Sequence, residues 1–138
     1  MNAKMMKLME VVAMTQQEVK NLDALINKIG FQIVEKIKEK GSDKTKYKNE
    51  IDKALGVLSN DGLYAYYVYV KSKNIDDIFL EEIRPLISFS YSSFESGNWQ
   101  NFFENLSQNL TELLFFREIL EKILIYARYH AKAMREQE

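Results

Sequence analysis

The sequence predicts an all-α fold, a compact bundle of five to six helices, and three observations support this. Only one proline and five glycines occur in 138 residues, so few positions interrupt a helix. A length of 138 residues fits one domain, and a content of 46% hydrophobic and 28% charged residues is typical of a globular protein. Apolar residues recur three or four positions apart over long stretches, which is the periodicity of amphipathic helices.

The first long helix is predicted to begin at Thr15 and to end at Gly41. Thr15-Gln16-Gln17-Glu18 matches a capping box, in which the outer two side chains bond to backbone N–H groups at a helix start. Glycine readily takes the left-handed conformation that closes many helices. We expect Met1–Met14 to form an N-terminal arm or an extra helix, ahead of a single helical domain over residues 15–138. The apolar stripe of this first helix comprises Val19, Leu22, Leu25, Ile26, Ile29, Ile33 and Ile37.

A second helix is predicted to begin at Ser42 or Asp43 and to end at the turn signal Ser59-Asn60-Asp61-Gly62. The segment Leu63–Val70 that follows is rich in tyrosine and valine, which favour strands. No second strand-like segment offers it a partner, and an unpaired strand leaves its backbone hydrogen bonds unsatisfied. We therefore predict that Leu63–Val70 is helical.

The sequence predicts three further helices in the second half of the chain. One begins at Asn74 and ends or kinks at Pro85, because proline lacks a backbone N–H and crowds the preceding turn. The serine-rich segment Ser88–Gly97 predicts a loop. A short helix is expected from Asn98, and the last helix from about Asn109.

Few residues in the sequence suit catalysis. Cysteine is absent and His130 is the single histidine, which argues against thiol chemistry, common zinc sites and paired-histidine di-iron sites. Neighbours in the pairs Asp76-Asp77 and Glu81-Glu82 point about 100° apart on a helix, so neither pair converges on one atom. Asp77 and Glu81 would share a face, which leaves an enzyme as a third hypothesis. We predict a non-catalytic protein with no metal and no cofactor.

The sequence contains no segment typical of membrane insertion or secretion. No stretch approaches the roughly 20 apolar residues that span a bilayer. Lys4, Lys7 and Glu10 interrupt the apolar N-terminus, which therefore does not match a signal peptide. We expect a cytoplasmic protein with no membrane partner.

Charge is spread unevenly along the chain. Residues 1–73 contain 13 lysines and nine acidic residues, whereas residues 74–138 contain six basic and 11 acidic residues. This asymmetry is typical of a basic face for a polyanion, or of two poles through which copies stack head to tail. It is also compatible with no function, because charge along a sequence is not charge on a surface.

Two groups of basic residues are candidates for nucleic-acid binding. The lysines between Lys36 and Lys73 alternate with acidic residues, a pattern typical of a solvated hairpin tip that also fits a phosphate-contacting edge. Arg128, Lys132 and Arg135 share one face of the last helix. Nearby Tyr126 and Tyr129 are interpreted as covering the end of the core, with base stacking as the alternative. The predicted phosphate contacts are Lys44, Lys46, Lys48, Lys71, Lys73, Arg128 and Lys132.

Four tyrosines lie within six residues, at positions 64, 66, 67 and 69. They cannot all face inward on one helix, because they span too wide an arc. Tyrosine is common at protein interfaces, since it has an apolar body and a polar tip. We predict that Tyr66, Tyr67 and Tyr69 pack against another subunit, with core packing and base stacking as alternatives.

Two parts of the chain carry a pattern of apolar, turn and basic residues. The first part contains Ala54-Leu55, Val57-Leu58, Asn60-Asp61-Gly62-Leu63, Ala65, Tyr69 and Ser72-Lys73, and the second is Tyr126-Ala127-Arg128-Tyr129-His130-Ala131. Both parts resemble the small subunit of the Cmr complex, the type III-B CRISPR effector that targets RNA. That family shows an apolar helix, an Asn-Gly-Leu turn, a second apolar helix and a small residue followed by lysine. Its last helix commonly ends in an aromatic residue, Arg-Tyr and alanines.

The resemblance implies a non-catalytic subunit that acts in antiviral defense. Such subunits are small helical bundles that line up in several copies as a filament and contact the backbone of the guide–target RNA duplex. The implied partners are the other effector subunits, copies of the chain itself, and RNA. The alternative hypothesis is a helical adaptor or scaffold that binds only protein.

Overall fold

The computed structural model describes residues 3–89 and 98–137, with side chains described over 21–88 and 98–134. Within these ranges the chain contains α-helices and 3₁₀ segments and no strand, so the all-α prediction is confirmed. Two 3₁₀ segments span Gly41–Asp43 and Glu81–Phe89. The α-helices are α1 (Ala3–Lys38), α2 (Lys44–Asp61), α3 (Leu63–Ser72), α4 (Asp76–Phe79), α5 (Trp99–Ser107) and α6 (Leu110–Gln137).

Helices α1 and α6 pack side by side and run in the same direction. Their contacts advance together, since Gly30 lies against Ile123 and Tyr126, and Phe31 lies against His130. The two backbones approach closely because Gly30 has no side chain. A Cβ at that position would lie 2.9 Å from the Tyr126 Cβ and 3.0 Å from the Ile123 carbonyl oxygen.

Helix α2 lies against another side of α6 and runs in the opposite direction. Arg117 of α6 donates a hydrogen bond to the carbonyl of Ser59 near the end of α2. Further along α6, Arg128 lies 4.0 Å from Asp52. The core between these helices and α5 is rich in aromatic rings, among them the buried residues Trp99, Phe102, Phe103 and Phe116.

Most predicted helix ends lie within three residues of the observed ends, because short-range chemistry determines them. Gly41 and Gly62 adopt φ of 59° and 100°, conformations that glycine accepts without strain. The side chain of Asn98 accepts a hydrogen bond from the Asn101 N–H at 3.1 Å. Asn109 caps α6 in the same way. Leu63–Val70 is helical, as predicted.

Two predicted boundaries are wrong. Helix α1 begins at Ala3 and continues through Thr15, so the capping box does not start a helix. Pro85 neither ends nor kinks an α-helix, because α4 has already ended at Phe79 and Pro85 lies within a 3₁₀ segment. With three residues per 3₁₀ turn, the buried Leu80, Ile83 and Leu86 align on one face. Of the predicted loop, residues 90–97 lie outside the described residues.

No helix in the described part of the chain is both long enough and apolar enough to cross a membrane.

Candidate nucleic-acid interface

A shallow groove between α2 and α6 brings together three of the predicted phosphate contacts. Lys48 comes from α2, whereas Arg128 and Lys132 lie one turn apart on α6. The antiparallel packing of the two helices makes these side chains neighbours. We call this surface the basic groove, lined by Lys48, Ile51, Asp52, Arg128, Ala131 and Lys132.

The basic groove has an excess of positive charge. Among the described residues that line it, Asp52 is the single acidic one. It lies 4.0 Å from the Arg128 guanidinium, and the two side chains are 70% and 46% exposed. Such an exposed pair contributes little energy, so a phosphate can compete for Arg128. Lys48 and Lys132 have no ion-pair partner within 4.0 Å among the described residues. The groove can therefore attract an anion with little rearrangement.

The other predicted lysines do not line the groove. Lys44 lies one helical turn before Lys48 and extends the line of cations along α2. Lys46 is exposed on a different face of α2 from Lys44 and Lys48. Lys71 bonds to Asp76 at 3.3 Å, and the Lys73 ammonium lies 5.8 Å from the centre of the Tyr69 ring. Lys71 and Lys73 belong to the end of α3, so no single surface formed by α2 and α6 gathers all seven residues.

Tyr66 is wrongly predicted as an interface residue. It is fully buried, and its hydroxyl donates a 2.7 Å hydrogen bond to the carbonyl oxygen of Phe79. Burial raises the pKa of this hydroxyl, because an ionised phenolate would lie away from water. The side chain joins α3 to the end of α4 and has no surface to offer a partner.

Tyr67 and Tyr69 are partly buried and make contacts within the bundle. The Tyr67 ring lies 5.2 Å from that of Phe103. The Tyr69 hydroxyl donates a 2.6 Å hydrogen bond to the buried carboxylate of Glu50. Burial, together with this bond and the charge of Glu50, raises the pKa of Tyr69 to about 12. Tyr64, which the predicted set omits, is the exposed tyrosine of α3, at 39%. The interface role of Tyr67 and Tyr69 stays a prediction.

Tyr126 and Tyr129 line a second depression, which the sequence did not predict. Tyr129 is 60% exposed and Tyr126 is 42% exposed, so both rings are accessible at the surface. Their interpretation as a cover for the end of the core stays a prediction. The sequence shows that Tyr126 and Tyr129 are three residues apart on α6. It does not show which face of α6 packs against α1, and so it could not predict the depression. We call this surface the aromatic depression, lined by Asp23, Ile26, Lys122, Ile125, Tyr126 and Tyr129. The Arg128 guanidinium lies 5.7 Å from the centre of the Tyr129 ring and so connects the depression to the basic groove.

The two carboxylates considered for catalysis are held by different partners. Asp77 accepts a 3.0 Å hydrogen bond from the Tyr47 hydroxyl and pairs with Lys40. Glu81 pairs with Arg84 and accepts a 3.3 Å hydrogen bond from the indole N–H of Trp99. Over residues 21–88 and 98–134, no group of three or more histidine or acidic residues is arranged to hold a metal ion.

No protein-family model, curated protein or solved structure matches the chain. Function is therefore inferred from the basic groove, the aromatic depression and the sequence resemblance.

Proposed function

We propose that the chain is a non-catalytic small subunit of a type III-B CRISPR effector complex in the cytoplasm, where it contacts the backbone of the guide–target RNA duplex. The observation that carries the RNA contact is the convergence of Lys48, Arg128 and Lys132 on one groove. The resemblance of the α2–α3 turn and the end of α6 to the Cmr small subunit supports the choice of complex.

Contact with the backbone agrees with the chemistry of the groove. Phosphates are recognised by exposed cations without regard to base sequence, and each neutralised phosphate releases counterions. Three cations give one chain a weak affinity. Several copies aligned on one duplex would combine such weak contacts into stable binding, because each further contact is effectively intramolecular.

Salt dependence of binding tests the proposal. A fluorescently labelled guide–target duplex is titrated with the chain, and anisotropy is measured from about 50 to 200 mM salt, the range in which phosphate contacts lose affinity. With two or three phosphates neutralised, log K should fall with log salt at a slope of roughly −2 to −3. Arg128→Ala and Lys132→Ala should each make the slope less negative by about one unit.

Lys53→Ala is the matched control. Lys53 is an exposed lysine of α2 that does not line the groove, so its removal should leave the slope unchanged. Duplex affinity that does not change with salt concentration would contradict the RNA contact. An equal loss of affinity in Lys53→Ala and in the groove variants would contradict it as well. Co-expression with the remaining effector subunits tests membership of the complex, since a true subunit should purify with them.

A helical adaptor that binds only protein is the second candidate. Large apolar side chains stay exposed on α6, with Leu110 at 68%, Leu114 at 52% and Phe115 at 44%. Apolar surface of this kind is typical of contacts with another protein. Stable capture of a partner protein, with no RNA affinity at low salt, would favour this candidate.

A further inference from the structure

We propose that the aromatic depression is a subsite for an unpaired RNA base, so that the chain prefers RNA with a single-stranded segment to a fully paired duplex. This inference rests on the proposed function, because the basic groove must hold the adjoining phosphates. The subsite lies between α1 and α6, beside the groove between α2 and α6.

The exposed rings of the depression suit a planar base. Tyr126 and Tyr129 are three residues apart on α6 and therefore neighbours on its surface. Ile26 and Ile125 contribute apolar side chains to the lining of the depression. Aromatic side chains beside a cationic surface are the usual platform for unpaired bases, which expose a ring face that a duplex hides.

Arg128 couples the depression to the groove. Its guanidinium lines the basic groove and lies 5.7 Å from the Tyr129 ring centre. A phosphate bound by Arg128 would hold the attached nucleoside beside Tyr129.

The polar residues of the depression favour particular bases. The exposed Asp23 carboxylate has no ion-pair partner among the described residues, so it is available to accept a hydrogen bond. Cytosine and adenine carry exocyclic amino groups that donate to carboxylates, and uracil carries none. Lys122 lines the same depression as Asp23, and its ammonium lies 3.8 Å from the Glu118 carboxylate. We therefore expect cytosine and adenine to bind better than uracil.

Fluorescence of a base analogue tests the subsite. Short RNA strands carry 2-aminopurine, whose emission falls when it stacks on an aromatic ring, and they are compared with the same strand in a blunt duplex. The chain should quench the single strand and bind it more tightly than the duplex. Tyr129→Leu should weaken single-strand binding about tenfold and abolish the quenching, because stacking supplies that much affinity per base.

Two variants separate stacking from other effects of the substitution. Tyr129→Phe keeps the ring and should keep both affinity and quenching. Tyr64→Leu removes the exposed tyrosine of α3, outside the depression, and should also leave both unchanged. In wild type, oligocytidylate and oligoadenylate should bind more tightly than oligouridylate, and Asp23→Ala, which removes the acceptor, should abolish this preference.

The outcomes distinguish failure of the subsite from failure of the proposed function. If single strand and duplex bind equally, without quenching and without an effect of Tyr129→Leu, the subsite is overturned. If Arg128→Ala nevertheless weakens RNA binding under the same conditions, the proposed contact with the duplex backbone stands. If no RNA binds in a salt-dependent manner, both proposals fail together.

Discussion

At the scale of single residues, Tyr66 illustrates how a polar atom is accommodated within the core. Its ring fills space between α3 and the end of α4, and its hydroxyl bonds to the carbonyl of Phe79. That carbonyl lies at the last residue of α4, where helix carbonyls lack partners within the helix. The tyrosine therefore supplies a donor that the backbone itself does not.

Removing that hydroxyl should destabilise the protein. Tyr66→Phe keeps the ring but leaves the buried Phe79 carbonyl without this donor, which costs about 1–2 kcal/mol of unfolding free energy. Urea denaturation followed by circular dichroism measures the change. Tyr64→Phe is the control, because this hydroxyl makes no hydrogen bond within the described residues, and it should stay within about 0.5 kcal/mol of wild type. Equal stability of the two variants would contradict a structural role for the bond.

The sequence could predict that the α3 tyrosines point in different directions, but not which of them is buried. Helical geometry establishes that the α3 tyrosines diverge, and this holds in the structure. Which of them is buried depends on where α4 packs, and α4 is followed by a 3₁₀ segment that the sequence did not predict. Tyr129 shows the same limit, since its exposure depends on which side of α6 is covered by α1 and α2.

At the scale of elements, two helical glycines differ in the space around them: Gly30 is tightly packed, whereas Gly56 has open space. Gly30 lies in α1 where it crosses α6, and an added Cβ would meet backbone atoms of α6, the Ile123 oxygen at 3.0 Å and the Ala127 nitrogen at 3.1 Å. Gly56 lies within α2, and an added Cβ would meet nothing within 4 Å. The close approach of α1 to α6 thus depends on one missing methyl group.

Alanine at the two positions should change stability with opposite signs. Gly30→Ala forces the backbones of α1 and α6 apart, and we expect a loss of about 1–3 kcal/mol despite better helix propensity. Gly56→Ala gains helix propensity without a clash and should stabilise the protein by about 0.5–1 kcal/mol. Thermal and urea denaturation of both variants would measure this. Stabilisation by both substitutions would mean that α1 and α6 are not in close contact at Gly30.

Helix boundaries were predictable where a nearby residue determines them. Gly41 and Gly62 need positive φ, and Asn98 and Asn109 cap the helix that follows, so each signal acts within three residues. The capping box at Thr15 also acts over a short range. However, no glycine or proline precedes it to interrupt the helix, so α1 continues through Thr15. The 3₁₀ segment was not predictable, because its winding follows from burial of one face against distant helices.

At the scale of the whole molecule, the fold mixes the two charged halves of the sequence. Helix α2, from the basic half, packs on α6, from the acidic half. Ion pairs cross between the halves at Lys40–Asp77, Lys71–Asp76 and Arg128–Asp52. The basic groove itself takes cations from both. The asymmetry therefore indicated a cationic surface without locating it, because the sequence does not show that α2 and α6 are neighbours.

Two tyrosines of α3 with raised pKa values make the molecule less stable at alkaline pH. Burial raises the pKa of Tyr66, and burial together with Glu50 raises that of Tyr69 to about 12, while the unfolded chain titrates near 10. The folded state therefore holds these protons more tightly than the unfolded state. Their stabilising contribution is complete below pH 10 and is lost as the pH rises towards the folded-state pKa.

We expect the free energy of unfolding to fall by roughly 2 kcal/mol between about pH 10 and 12 through Tyr69, since one pKa unit corresponds to about 1.4 kcal/mol. Tyr69→Phe removes the proton, so its stability should decline less steeply over that range. The variant should also be less stable than wild type at pH 7, because the buried Glu50 carboxylate loses a 2.6 Å hydrogen bond. Urea denaturation at several pH values measures both effects. Parallel curves for variant and wild type above pH 10 would show that Tyr69 does not couple folding to proton loss.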